Sequence, residues 1–168
     1  FSGQDVGQRT LLLHEADEPL DLRLFCSQDR QRPQKLGVRR PDLDDDLAAM
    51  TEPLAVGLEH ARRGRPTQED VALVLGCGAI GLGVIAGLGL MGIAPIVAAD
   101  FHPQRRALAI RMGAEIAIDP REISPYAPIP DLGGRHVNLV YENVGMPGLL
   151  QQIIQSVAFD SRIVMGGY

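Results

Sequence analysis

Tryptophan is missing from this chain, and aromatic residues make up only 4% of its 168 positions. Stacked aromatic platforms for single-stranded nucleic acid are therefore not expected. A basic face is lacking too, since 21 acidic against 16 basic side chains give a formal charge of −5. A nucleic-acid partner needs clustered Lys and Arg for its phosphates, so none is expected. Cysteine occurs only at Cys26 and Cys77. Cys77 lies inside a glycine-rich turn, where a disulfide would be obstructive, so both are read as free thiols in a reducing compartment. No charged leader with a cleavage site opens the sequence. The one strongly apolar stretch, after Gly78, is short for a bilayer and broken by glycines. These absences lead to the expectation of a cytoplasmic protein without a membrane partner.

What the chain does contain is concentrated between Val71 and Asp100. Val71–Leu75 is a short apolar run suited to a buried strand of a parallel sheet. Gly76, Gly78 and Gly81 follow at the spacing G-x-G-x-x-G, then an apolar helix closed by Gly92, then a second apolar run ending in Asp100. The spacing assigns a task to each glycine. Gly76 allows the tight turn, Gly78 lets a pyrophosphate approach the backbone, and Gly81 lets the helix lie close on the sheet. The free N–H groups and dipole of the helix start favour a diphosphate. Asp100 comes nineteen residues after Gly81. A carboxylate at that strand end accepts hydrogen bonds from adenosine ribose hydroxyls and repels a 2′-phosphate, which points to NAD over NADP. Strand, turn, helix and acid together give the motif its specificity.

The rest of the chain extends this unit. Residues 1–40 form an unassigned N-terminal segment, in which 10–14 and 20–25 read as strands and 27–40 as a polar linker. His14 lacks a second ligand at metal spacing and is read as an exposed strand-end residue. Pro41 and the acidic run Asp42–Asp46 announce a helix start. A break near Thr51–Glu52 admits Pro53 into the first turn of a new helix, which ends at Arg62–Arg63 with Gly64 as its C′ residue. His60 is expected at the surface. Past Asp100, a helix over 102–113 with Pro103 in its first turn precedes a strand at 114–118. A proline-rich loop covers 119–134. Strand 137–141, helix 147–158 and strand 161–165 complete the order β-α-β-α-β-loop-β-α-β. That order is a doubly wound parallel sheet of the α/β class, a Rossmann fold, over residues 41–168. Arg105, one turn from Asp100, reads equally well as a ribose or adenine contact and as a solvated surface arginine.

With these pieces in place, the chain from about Asp42 resembles the zinc-type medium-chain dehydrogenase/reductase family of alcohol and polyol dehydrogenases. TEPLAVGLEHARRG, VALVLGCGAIGLG, AADFHPQRRALA, RMGAEIAIDP, YENVG and RIVMGGY carry the resemblance. It implies that Gly76, Gly78, Ala79, Ile80 and Gly81 cradle the NAD pyrophosphate. Asp100 would hold the adenosine ribose with Arg105 beside it, and Asn143, Val144 and Gly145 would flank the adenosine side. Gly166 and Gly167 would approach the nicotinamide. Glu52 would lie near a catalytic zinc, as ligand or ligand partner, only with a separate catalytic domain present. Read from the residues alone, Glu52 is a helix-start glutamate, since one carboxylate does not hold zinc. The resemblance further implies a sixth strand after Tyr168, an alcohol or polyol substrate, and self-association into a homo-oligomer. The expectation is the NAD-binding part of such an oxidoreductase, inactive by itself. A non-catalytic NAD-binding module and an S-adenosylmethionine-dependent methyltransferase are the alternatives, the latter disfavoured by the third glycine, Gly81.

Overall fold

Five parallel strands alternate with helices in a computed structural model of the chain, whose described residues are 44–129, 132 and 134–167. The strands predicted at 10–14 and 20–25, the linker 27–40, His14, Cys26 and the helix start at Pro41 lie outside the described residues. Asp44 caps the first helix, α1 (Asp45–Ala49), its Oδ1 accepting from the N–H groups of Asp46 at 2.9 Å and Leu47 at 3.4 Å. After Met50 the chain starts again as α2 (Thr51–Arg63), with Pro53 in its first turn. Proline is tolerated there because the first N–H groups of a helix have no intrahelical partner.

The remaining elements are β1 (Ala72–Leu75), α3 (Ala79–Leu90), β2 (Ile96–Ala99), α4 (Pro103–Arg111), β3 (Ile116–Ile118), β4 (Leu139–Glu142), α5 (Leu149–Ser156) and β5 (Arg162–Met165). The sheet order is β3-β2-β1-β4-β5, every pair parallel. The chain builds outward from β1 through β2 to β3, then returns across β1 to lay down β4 and β5. This is the doubly wound α/β sheet the sequence predicts, and its direction of winding reverses between β1 and β4. Leu75 stands opposite both Ala99 and Glu142, and Glu142 opposite Met165, so the C-terminal ends of four strands are level.

Alternation along β1 separates two cores. Ala72 and Val74 face Val84, Ile85 and Leu88 of α3, whereas Leu73 and Leu75 share a core with Ile153 of α5. On the first face α2 and α3 touch through small residues. A Cβ on Gly57 would stand 2.6 Å from the Ile80 carbonyl oxygen, and one on Gly87 would stand 3.1 Å from the Ala61 Cβ. The glycines that make this helix too weak for a membrane reading are therefore what lets the two helices meet. No helix among the described residues is long and apolar enough to cross a membrane.

Two expectations are corrected at the end of α2. Gly64 keeps right-handed backbone at φ −65°, and the left-handed residue is Arg65 at φ 47°. Gly64 is small for another reason, since a Cβ there would lie 2.2 Å from the Tyr141 Oη. That hydroxyl donates to the Ala61 carbonyl at 2.8 Å, and burial pushes the phenol pKa up. His60 is not at the surface. It is only 7% exposed, on the buried stripe of α2 with Gly57 and Ala61.

The N-terminal edge of the sheet is closed by polar contacts around Asp70. Its carboxylate accepts from the Thr67 N–H at 2.6 Å, the Thr67 hydroxyl at 3.1 Å and the Asn138 side-chain amide at 3.0 Å, and it pairs with Arg162 of β5. Arg162 also donates to the carbonyls of Gly64 and Arg65 at 2.8 and 2.7 Å. Burial pushes the Asp70 carboxyl up, but the bonds from Arg162 and Thr67 outweigh it and hold it below its ordinary value.

Candidate functional site

The opposite edge of the sheet is open. A crevice of about 550 Å³ lies at the C-terminal strand ends, lined by residues that include Gly76, Gly78, Asp100, Arg105, Asn143 and Val144. This is the place, at the reversal of winding, where open parallel sheets bind ligands.

Its floor is the turn between β1 and α3. Gly76 has φ 83°, a left-handed conformation that glycine adopts without cost, and a Cβ there would meet Val144 Cγ2 at 2.9 Å. Gly81 is closed in, its absent Cβ lying 1.8 Å from the Gly76 carbonyl oxygen. Gly78, by contrast, would carry a Cβ into open space. Gly76 thus turns the chain, Gly81 packs closely, and Gly78 leaves open space. Gly78 is the N-cap of α3 and makes no side-chain cap, and no acidic residue stands in the first turn. The N–H groups of Ala79, Ile80 and Gly81 have no intrahelical partner, and no side chain caps the positive end of the helix.

Asp100 follows β2 and is 7% exposed. Its Oδ2 accepts from the Cys77 N–H at 2.9 Å and its Oδ1 from the His102 N–H at 2.8 Å. The first bond ties the acid to the glycine turn and the second starts α4. A carboxylate has about four acceptor positions, so two protein bonds leave capacity for ligand hydroxyls. The Arg105 guanidinium, 52% exposed, reaches to 3.7 Å from Oδ2. Arg105 thus lines the crevice while remaining half exposed to solvent. Cys77 is buried, and its thiol is pushed up to about 12, first by burial and then by the Asp100 charge. It is a packing residue, not a nucleophile.

The far wall is the end of β4. Asn143 and Val144 line the crevice, and Gly145, at φ 72°, does not. Gly166 and Gly167 do not line it. They press on this loop from β5, where a Cβ on Gly166 would stand 2.6 Å from His60 Nδ1 and one on Gly167 would stand 2.1 Å from the Gly145 nitrogen. Ala79, Ile80 and Gly81 also lie outside the lining, in the first turn of α3.

Phe101, Arg121 and Tyr126 line the crevice and are not among the residues the sequence reading singles out. Arg121 is fixed by Asp119, with Nη2 at 2.5 Å and Nε at 2.9 Å, and its guanidinium sits 5.7 Å from the Phe101 ring centroid. The Arg121 bonds hold the Asp119 carboxyl well below the usual range. Phe101 was open to discovery because it directly follows Asp100. Arg121 and Tyr126 lie in the proline-rich loop, which carries no periodic signal.

Glu52 is exposed in the first turn of α2, and no group of three or more His, Cys, Asp or Glu side chains able to hold a metal occurs among the described residues. The described residues do not fit a zinc site.

This fold and crevice define a dinucleotide-type binding domain, and comparison with known proteins identifies its kin. A family model described as "Zinc-binding dehydrogenase" matches residues 79–168. (R,R)-butanediol dehydrogenase of Bacillus subtilis is 35% identical over 134 residues, covering 79% of this chain and 38% of that protein. Erythritol/L-threitol dehydrogenase of Mycolicibacterium smegmatis is 35% identical over 67% of this chain and 31% of its own length. Among solved structures, 2R,3R-butanediol dehydrogenase from Bacillus subtilis superposes with a TM-score of 0.64 at 34% identity, over 77% of this chain and 37% of that one. An alcohol dehydrogenase from Escherichia coli CFT073, solved in complex with NADH, gives 0.65 at 27% identity, over 77% of this chain and 38% of that one. The chain belongs to the zinc-binding dehydrogenase family. It spans 31–38% of the length of these relatives and corresponds to their NAD-binding-type region. Family membership removes the methyltransferase alternative.

Proposed function

We propose that this chain is the NAD(H)-binding portion of a zinc-type dehydrogenase that moves a hydride between an alcohol or polyol carbon and NAD. The observation that carries the reading is the crevice where the winding reverses, which brings Gly76, Gly78, Asp100, Arg105, Asn143 and Val144 together. The residues fit the cofactor. The open N–H groups at the start of α3 receive the pyrophosphate, Gly78 keeps the approach clear, and Asp100 accepts from the adenosine ribose hydroxyls. Its charge opposes a 2′-phosphate, and Arg105 flanks the ribose. Asn143, Val144 and Gly145 would flank the adenosine side, and Gly166 and Gly167 would lie toward the nicotinamide. The nicotinamide, when bound, accepts or returns the hydride.

The cofactor-binding unit in this reading is residues 41–168, in a cytoplasmic protein that self-associates. The isolated chain binds cofactor without turning over alcohols, because the substrate pocket and zinc ligands belong to the rest of the enzyme. Calorimetric titration with NADH, and NADPH as control, tests the reading. Saturable binding that prefers NADH is expected. Absence of NADH binding, or a preference for NADPH, would overturn it.

A further inference from the structure

Two aspartates stand side by side at the crevice end of the sheet and are used differently. Asp100 follows β2 and Asp119 follows β3, with Ala99 opposite Ile118 and the Asp100 N–H donating to the Ile118 carbonyl at 3.2 Å. Asp100 lines the crevice, whereas Asp119, only 8% exposed, does not. Asp119 is taken up by protein donors. Its Oδ1 accepts from the Arg121 N–H at 3.0 Å and from Arg121 Nε at 2.9 Å. Its Oδ2 meets Arg121 Nη2 at 2.5 Å and Arg106 Nη1 at 3.0 Å. The Arg121 bonds keep this carboxyl charged at neutral pH.

The two guanidiniums reach back to the neighbouring turn. Arg106 Nη1 donates to the Asp100 carbonyl at 2.8 Å and to the Phe101 carbonyl at 3.0 Å, and Arg121 Nη2 donates to the Phe101 carbonyl at 2.8 Å. Arg106, like Asp119, lies outside the crevice lining. The backbone of the crevice acid is thus gripped from behind, and a binding group held by such supporting bonds keeps its geometry. The same pairing has a second effect. Guanidinium–carboxylate bonds are strong, and Arg105 already stands 3.7 Å from Asp100 Oδ2. Guanidiniums released from Asp119 would compete for the acceptor positions that Asp100 keeps for ligand hydroxyls.

We propose that Asp119 is a positioning residue for cofactor binding: through Arg106 and Arg121 it fixes the Asp100–Phe101 turn and keeps the Asp100 carboxylate open to the ligand. The proposal rests on the NAD(H) reading above.

A double-mutant cycle, read by calorimetric titration of the full chain, tests it. Asp119→Asn keeps the volume but loses the charge that holds two guanidiniums. It should weaken NADH binding about five- to tenfold and narrow the preference over NADPH. In an Asp100→Ala background the same change should move NADH affinity by less than about twofold, because the residue it acts through is gone. Arg106→Gln cuts the bond to the Asp100 carbonyl and leaves the Asp119–Arg121 pair in place. It should repeat both results, and it decides the matter if Asp119→Asn does not fold. Equal losses in the two backgrounds, or unchanged NADH affinity in the single variants, would overturn the proposal and leave Asp119 a structural ion-pair partner. Failure of the unmodified chain to bind NADH would instead sink the cofactor reading, and the positioning role with it.

Discussion

The two edges of the sheet are built from similar residue types and treat them in opposite ways. At the N-terminal edge, the Asp70 carboxylate receives Thr67, Asn138 and Arg162. At the C-terminal edge, Asp100 receives two backbone N–H groups and keeps acceptor capacity, and Glu142 keeps one oxygen with none. Satisfied buried polar groups stabilise a fold, and unsatisfied ones cost about 1–3 kcal/mol each. The difference separates an edge that holds strands together from one that keeps unused acceptors beside the crevice. The same logic separates the glycines: Gly81 is closed in by the Gly76 carbonyl, and Gly78 faces open space.

The largest effect expected from breaking this contrast is at the closed edge. Asp70→Ala removes acceptors from several donors and leaves Arg162, itself partly exposed, without its carboxylate. Urea unfolding should show a loss of about 2–4 kcal/mol, with NADH affinity within about twofold of the unmodified chain. A large loss of cofactor binding in the folded variant would mean the edges are not separable.

Next in size is the open edge. Asp100→Ala should weaken NADH binding by about 1–3 kcal/mol, the value of charge-assisted hydrogen bonds, and should narrow the gap to NADPH. Unchanged NADH affinity by calorimetry would remove Asp100 from the ribose site.

The smallest effect is a pH dependence. The folded protein holds the Asp70 proton more weakly than the unfolded chain does. Its stabilisation is therefore complete above the ordinary carboxylate value of about 4 and fades as pH falls through the lowered folded value. The stability advantage of the unmodified chain over Asp70→Asn, read from urea midpoints, should shrink on acidification. An advantage that does not change with pH would show that the pairing is not ionic.

Much of the open edge was legible in the sequence because its signals are local. A strand, three glycines, a helix and an acid stand within Val71–Asp100, and each is constrained by its neighbours. The succession of strands and helices was legible for the same reason, since each β-α unit declares itself. What was not legible depends on contacts across the chain. His60 precedes an arginine pair and reads as solvated, yet it shares the buried stripe of Gly57 and Ala61, a spacing of small residues that could have indicated a close helix contact. Gly64 reads as a helix stop, but its size is set by Tyr141, which the chain reaches only after three further strands. Asp70 looks like an ordinary loop acid until β5 brings Arg162 beside it. Glu142 looks like a strand end until its loop curls back on it.

The division of labour between the edges is tested most directly by amide NMR of the 15N-labelled chain during titration with NADH. The account predicts that shifts concentrate at residues 76–81, 100–105 and 142–145, leaving 67–71 and 162 unmoved. Shifts centred on the Asp70 edge, or none at saturating NADH, would contradict it.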